Sequence, residues 1–213
     1  MSDLFPDTRA RLTLDPGAVL LGGFALPRAE ALLAGIAAIA AAVPFRRMET
    51  PGGRRMSVAM TNAGAAGWTT SRRGYRYATT DPETGVPWPA MPDAFLALAT
   101  HAAETAGFTG FRPDACLVNR YEPGARMALH QDRDEADMAA PIVSVSLGLP
   151  ARFLWGGAER TSKARRLPLL HGDVLVWGGP ARLTFHGVDT LAAGDHPRTG
   201  GLRYNLTFRR ALA

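Results

Sequence analysis

The second half of this chain most constrains what it can fold into. Short runs of β-branched and aromatic residues alternate there with Gly, Pro and Asp turns. Residues 116–121, 129–132, 142–149, 152–155, 166–170, 174–177, 183–186 and 203–208 each read as a strand. Within 142–149, Val143, Val145 and Leu147 alternate with Ser144, Ser146 and Gly148, so the two faces of that strand differ. Many short strands between turns predict a sandwich or jelly roll, mainly β with some α. At 213 residues the chain is long enough for one domain with a sizeable core.

The first half supplies the flanking helices. A turn at 15–17 precedes a short strand at 18–21. Pro27 suits the first position of a helix running to about residue 43, with Leu32, Leu33, Ile36 and Ile39 on its apolar face. From 45 to 92 Gly, Pro, Thr and Arg dominate, with Trp68, Tyr75, Tyr77 and Trp88 among them. Strands are expected at 56–61 and 75–78. A loop-rich, aromatic and arginine-bearing segment of this kind often carries recognition. A second helix starts after Met91 and Pro92 and reaches about residue 106, with Gly107 as its stop.

Composition narrows the setting. Cys116 is the single cysteine, which excludes an intrachain disulfide and fits a reducing compartment. The first nine residues lack the basic-then-apolar order of a signal peptide. The longest apolar run, 29–43, contains Glu30 and is too short to cross a bilayer. A soluble, cytoplasmic protein without a membrane partner is expected, and nothing implies an obligate protein partner, so a monomer is expected. The net charge is +5 and the pI about 10.1, carried almost wholly by arginine, with Lys163 the one lysine. Arginine suits phosphate and carboxylate, which it grips with two parallel hydrogen bonds. A genome-wide compositional bias gives the same excess.

The candidate chemistry lies at His130-Gln-Asp132. On an extended chain residues two apart point the same way, so imidazole and carboxylate would converge. They supply two ligands of a 2-His-1-carboxylate facial triad, the donor set of non-haem Fe(II) oxygenases. Of the five histidines, His186, at the end of a strand-like run, is the best candidate for the third ligand. The plainer alternative makes Asp132 a turn acceptor and His186 a core histidine. In 203–209, Arg203, Asn205, Thr207 and Arg209 share one strand face and Tyr204, Leu206 and Phe208 the other. Two arginines buried on one face demand an anion, which a dicarboxylate co-substrate would supply, whereas a solvated edge strand demands none. Asn119 and Tyr121, again two apart, offer an amide and a phenol to the same ligand.

These residues sit in a series of ordered motifs. They are Met-Glu-Thr-Pro-Gly-Gly (48–53), Met-Ser-Val-Ala-Met-Thr-Asn (56–62), Gly-Trp-Thr-Thr (67–70), Asp-Ala-Cys-Leu-Val-Asn-Arg-Tyr-Glu-Pro-Gly (114–124) and His-Gln-Asp-Arg-Asp-Glu (130–135). Pro-Ile-Val-Ser-Val-Ser-Leu-Gly-Leu-Pro (141–150), His-Gly-Asp-Val-Leu-Val-Trp-Gly-Gly (171–179) and Arg-Tyr-Asn-Leu-Thr-Phe-Arg (203–209) complete them. From about residue 45 to 209 the chain resembles the AlkB family of Fe(II)- and 2-oxoglutarate-dependent dioxygenases. The resemblance implies a double-stranded β-helix, with 1–44 an extension and packing helix, 45–90 a nucleotide-recognition lid and 91–213 the oxygenase core. It implies oxidative demethylation of bases such as 1-methyladenine and 3-methylcytosine in single-stranded DNA and RNA. Fe(II), 2-oxoglutarate and O2 would be consumed in that reaction, and formaldehyde, succinate and CO2 released. His130, Asp132 and His186 match the family's iron ligands, and Asn119, Tyr121, Arg203, Asn205 and Arg209 its 2-oxoglutarate contacts. Trp68, Tyr75, Arg76, Tyr77, Asp134 and Arg160 match its substrate contacts. Arg126 and Arg133 stand where the family often offers lysine to the nucleic-acid backbone. Two other functions share this core: an oxygenase acting on a small molecule or protein, and a non-catalytic, metal-stabilised nucleic-acid binder.

Overall fold

The computed structural model describes residues 11–212, so the signal-peptide reading of the first nine residues lies outside the described residues. In chain order the elements are β1 (Arg11–Asp15), β2 (Ala18–Leu21), α1 (Ala29–Ala42), β3 (Ala59–Gly64), β4 (Gly67–Ser71) and β5 (Gly74–Ala78). There follow α2 (Asp93–Thr105), β6 (Ala115–Tyr121), β7 (Met127–His130), β8 (Ile142–Gly148), β9 (Ala151–Trp155) and β10 (Arg165–Leu169). β11 (Val174–Trp177), β12 (His186–Val188) and β13 (Arg203–Arg209) complete the chain. A seven-stranded sheet runs β1-β2-β11-β8-β13-β6-β3, and a four-stranded sheet runs β10-β9-β12-β7. All their pairings are antiparallel. The hairpin β4–β5 forms a separate two-stranded sheet. The order is that of two facing sheets, as the turn-punctuated strands predict, with both expected helices present.

Strand alternation builds two cores. Val143, Val145, Leu147, Leu206 and Phe208 face outward from the large sheet onto Leu32, Ile36, Phe95 and Leu98 of the helices. Phe95 meets Phe208 edge-on, with ring centroids 5.9 Å apart. The opposite face puts Leu117, Tyr121, Ile142, Leu175 and Trp177 against Phe153, Trp155 and Val188 of the small sheet. α2 stops at Gly107, whose φ of +99° is costly for any side-chain-bearing residue.

Several boundaries differ from the sequence reading. β3 begins at Ala59, three residues later than expected, because its register is set by β6, from Ala59 opposite Arg120 to Gly64 opposite Ala115. β1 and β4 have no counterpart among the strands expected from the sequence. β1 turns mostly exposed residues outward, and β4, Gly-Trp-Thr-Thr-Ser, has little alternation to mark it. β7 stops at His130, so Asp132 lies beyond the strand. Its backbone carbonyl accepts from Arg182 Nη1 at 2.6 Å and not from a neighbouring strand. His186 opens β12 and does not close a strand. A 3-10 turn at Gly179–Ala181 takes up the backbone before it.

Candidate active site

The site lies in a cavity of ≈ 590 Å³ between the two sheets, under the β4–β5 hairpin. His130 and His186 are register partners across β7 and β12, which brings their rings to a 4.4 Å centroid separation. Asp132 reaches both: Oδ1 lies 3.6 Å from His130 Nε2, and Oδ2 lies 3.7 Å from His186 Nε2. Ligand atoms of these three residues all lie within 4.8 Å of one another, the one such group among the described residues. The convergence comes from strand pairing plus a turn, not from the shared strand face expected of His130 and Asp132.

Each imidazole is oriented the same way. His130 Nδ1 lies 2.9 Å from the Ala128 carbonyl, and His186 Nδ1 lies 2.9 Å from that of Thr184. Carbonyls only accept, so each Nδ1 donates its proton, and each Nε2 faces Asp132. Burial, reinforced by the neighbouring His130, lowers the His186 pKa to about 4, so this ring is neutral at neutral pH. Burial opposes ionisation of Asp132, but Arg209 and the two imidazoles outweigh it and hold the carboxyl well below the usual range. A carboxylate and two imidazole Nε2 atoms with open directions between them are a donor set suited to Fe(II).

Arg209 meets its anion inside the protein. It donates to Asp132 Oδ2 through Nε at 3.1 Å and Nη2 at 2.6 Å, and its Nε lies 3.2 Å from Glu135. Glu135 also accepts from Arg182 at 3.0 Å and from the Tyr77 hydroxyl at 2.7 Å. Glu135 and Arg182 are both buried, and neither is among the site residues expected from the sequence. Nothing in their local pattern marks them, because their partners are far away in the chain.

Arg203 is different. It is 1% exposed, donates to Ser146 Oγ at 3.0 Å, and lies over the Tyr121 ring at 5.9 Å. Its Nε and Nη1 are buried without a hydrogen-bond partner. Burial pulls its pKa down to about 10, so it remains a cation at neutral pH. Burial also pushes the Tyr121 phenol up to about 12, so that group stays a neutral donor. Asn119 Nδ2 donates to Asn205 Oδ1 at 3.1 Å, leaving the buried Asn119 Oδ1 unpartnered. Asn205 donates to Ser144 Oγ at 2.8 Å. β13 is central in the large sheet, so the solvated-edge alternative fails, and its polar face points at the site. A carboxylate fits the two orphaned guanidinium nitrogens, although Arg203 itself is not among the cavity walls and meets them through Tyr121.

On the hairpin, Trp68 and Tyr75 stack at 5.5 Å, and Trp68 Nε1 donates to Asp134 Oδ2 at 3.1 Å. Trp68, Tyr75, Asp134, Arg126, Arg133 and Arg160 all line the cavity. Tyr77 is drawn inward to Glu135. Arg76 alternates to the opposite strand face, is exposed, and is not among the cavity walls. Met56, Met60 and Met127 also line the cavity, and no local pattern sets them apart from core methionines.

Residues 17–209 match the 2OG-Fe(II) oxygenase superfamily, and the chain belongs to that family. It is an Fe(II)- and 2-oxoglutarate-dependent dioxygenase that uses O2. Within the family it is 56% identical over 212 residues to the alpha-ketoglutarate-dependent dioxygenase AlkB of Salmonella typhimurium, covering 99% of this chain and 98% of that protein. It is 57% identical, with the same coverage, to that of Escherichia coli. The solved structure of OsALKBH1 superposes with a TM-score of 0.78 at 29% identity, covering 94% of this chain and all of that one. Among the described residues no helix is long and apolar enough to cross a membrane.

Proposed function

We propose that the chain repairs alkylated nucleic acid by direct reversal, removing methyl groups from 1-methyladenine and 3-methylcytosine in single-stranded DNA and RNA. His130, Asp132 and His186 hold the iron. Arg203 takes the distal carboxylate of 2-oxoglutarate, assisted by Tyr121, Asn119 and Asn205, and Arg209 fixes Asp132 beneath it. When bound, iron and 2-oxoglutarate supply, with O2, the oxidation of the N-methyl group. The resulting hemiaminal collapses to formaldehyde and the restored base.

The protein binds, orients and shields. A stacked base cannot reach this cavity, so the target must be flipped or already single-stranded. Trp68 stacks on it from one side with His130 near the other, while Asp134 at the rim accepts from its exocyclic amine. Arg126, Arg133 and Arg160 face the backbone phosphates. Residues 45–90 serve as the recognition lid, with β4–β5 the part over the cavity, 1–44 as the extension and 91–213 as the core. The chain acts as a monomer in the cytoplasm.

One observation carries this reading: the metal-ligand cluster lines a cavity roofed by an aromatic hairpin, and the unpartnered Arg203 lies behind its Tyr121 wall. That roof distinguishes it from an oxygenase of small molecules or proteins. The test is succinate release with 3-methylcytosine in a single-stranded oligonucleotide against the unmethylated oligonucleotide. Methyl-dependent succinate and formaldehyde in equal amounts are expected; equal succinate from both oligonucleotides would overturn the reading.

A further inference from the structure

The aromatic packing behind His186 continues past the site to the protein surface. Trp177 meets His186 edge-on at 5.0 Å, and Trp155 meets Trp177 edge-on at 6.2 Å. Both indoles are buried, Trp155 wholly and Trp177 to within 1%. Trp155 is also the register partner of His186 across β9 and β12. Its Nε1 donates a hydrogen bond to Asp15 Oδ2. The Asp15 side chain is 42% exposed and pairs with Arg165 Nη2 at 2.8 Å. So two oxidisable rings in contact link a candidate metal ligand to a carboxylate in water.

We infer that Trp177 and Trp155 form an electron-transfer path that drains oxidising equivalents from the iron site when it is activated without a methylated base. The inference rests on the iron placement proposed above. Indole is among the more easily oxidised side chains, and it becomes a stable neutral radical only when its N–H proton has somewhere to go. At Trp155 that acceptor is the Asp15 carboxylate. One electron passes inward from Trp155 through Trp177, and the Trp155 proton passes to Asp15 and on to solvent. An external one-electron donor such as ascorbate or a thiol, with a proton from water, restores the indole. Two such events balance an idle cycle: 2-oxoglutarate, O2, two electrons and two protons give succinate, CO2 and water. Without the path the same two equivalents would be spent on side chains around His186.

The test uses the full chain loaded with Fe(II), 2-oxoglutarate and O2, without nucleic acid and without reductant. Freeze-quenched samples are read by electron paramagnetic resonance, and peptides are mapped for added oxygen. Wild type is expected to show a neutral indole radical that ascorbate removes. Trp155→Phe should lose most of that signal and add severalfold more oxygen to Trp177 and Phe153. Trp155→Tyr, which keeps an oxidisable ring, should replace the indole signal with a phenoxyl one, a change that a packing role would not produce. Asp15→Asn should lower the neutral-radical yield. Iron affinity and turnover of methylated oligonucleotide are measured on the same samples. If those stay at wild-type level while Trp155→Phe leaves both the radical and the oxygen map unchanged, the path is overturned and the iron placement stands. If wild type itself binds no iron at the triad, the placement fails first.

Discussion

Arg203 and Arg209 stand on the same strand face, yet they do different work. Arg209 is neutralised within the protein by Asp132 and Glu135, whereas Arg203 keeps two buried nitrogens unpartnered. A buried cation without its anion is a stability cost, so its replacement by an apolar residue of similar length should not destabilise the empty protein. Arg203→Met is therefore expected to melt at or above the wild-type temperature without ligand. It should also lose the 2-oxoglutarate-induced stabilisation seen in wild type. Charge-assisted hydrogen bonds are worth roughly 1.5–3 kcal/mol, so its 2-oxoglutarate Kd should rise about tenfold or more by direct titration. Unchanged affinity would assign that carboxylate to another cation. Asp134 raises a second question at this scale, because its carboxylate is already held by Trp68 Nε1. 1-Methyladenine and 3-methylcytosine are cations, and a cation over an indole gains about 0.5–2 kcal/mol. A nearby carboxylate adds Coulombic attraction. Wild type should thus prefer 3-methylcytosine to neutral 3-methylthymine in kcat/KM. Asp134→Asn, which keeps the shape and removes the charge, should narrow that preference. Trp68→Ala should lose activity on both. An unaltered preference in Asp134→Asn would remove charge reading from recognition.

At the scale of elements, the β4–β5 hairpin is placed by contacts at its base. Trp88 Nε1 donates to the Ala78 carbonyl at 2.7 Å, and Arg46 lies over the Trp88 ring at 5.6 Å while pairing with the buried Asp81. Gly67 runs so close to Trp88 that an added Cβ would fall 2.5 Å from the ring. Asn62 clamps the same strand, donating to the Trp68 carbonyl at 3.1 Å and accepting from Trp68 N at 3.0 Å. Gly67→Ala must therefore displace either the hairpin or Trp88, and overpacking of this kind costs roughly 1–3 kcal/mol. The expected result is a lower melting temperature and weaker oligonucleotide turnover with 2-oxoglutarate affinity unchanged. If turnover holds and cofactor affinity falls, the hairpin and the cofactor pocket are not the separable units this packing describes.

For the whole molecule, burying a neutral imidazole makes stability depend on pH. The unfolded His186 titrates near 6.5, and in the folded chain its pKa is lowered to about 4. Between those values the unfolded chain binds the extra proton, so stability is fully present above about 6.5 and is lost as pH falls toward 4. From pH 7 to pH 5 this one group removes about 2 kcal/mol, or several degrees of melting temperature for a chain of this size. The metal-free protein should show that decline, and His186→Gln should flatten it. An equally steep decline in the variant would place the acid sensitivity elsewhere. Metal bound to the neutral ring should add its own binding energy to stability at neutral pH, and chelation should remove it.

The strand-rich second half, both helices, the alternation of β13 and the identity of every residue in the metal-ligand cluster are legible in the sequence. These are short-range matters. Side-chain period, turn chemistry and ordered motifs act over a few residues and stand in the sequence itself. Which strands pair is a matter of the folded chain, and with it that His130 and His186 face each other across β7 and β12. The fold decided that Asp132 joins them from a turn held by Arg182 Nη1. It also decided that Glu135 and Arg182 stand behind the site, and that of two arginines on one face only Arg203 is left wanting an anion. Each of those outcomes depends on partners 47 to 77 residues away. A buried charge is satisfied or orphaned by whatever the fold brings within about 3 Å of it, and a local pattern cannot specify that neighbour.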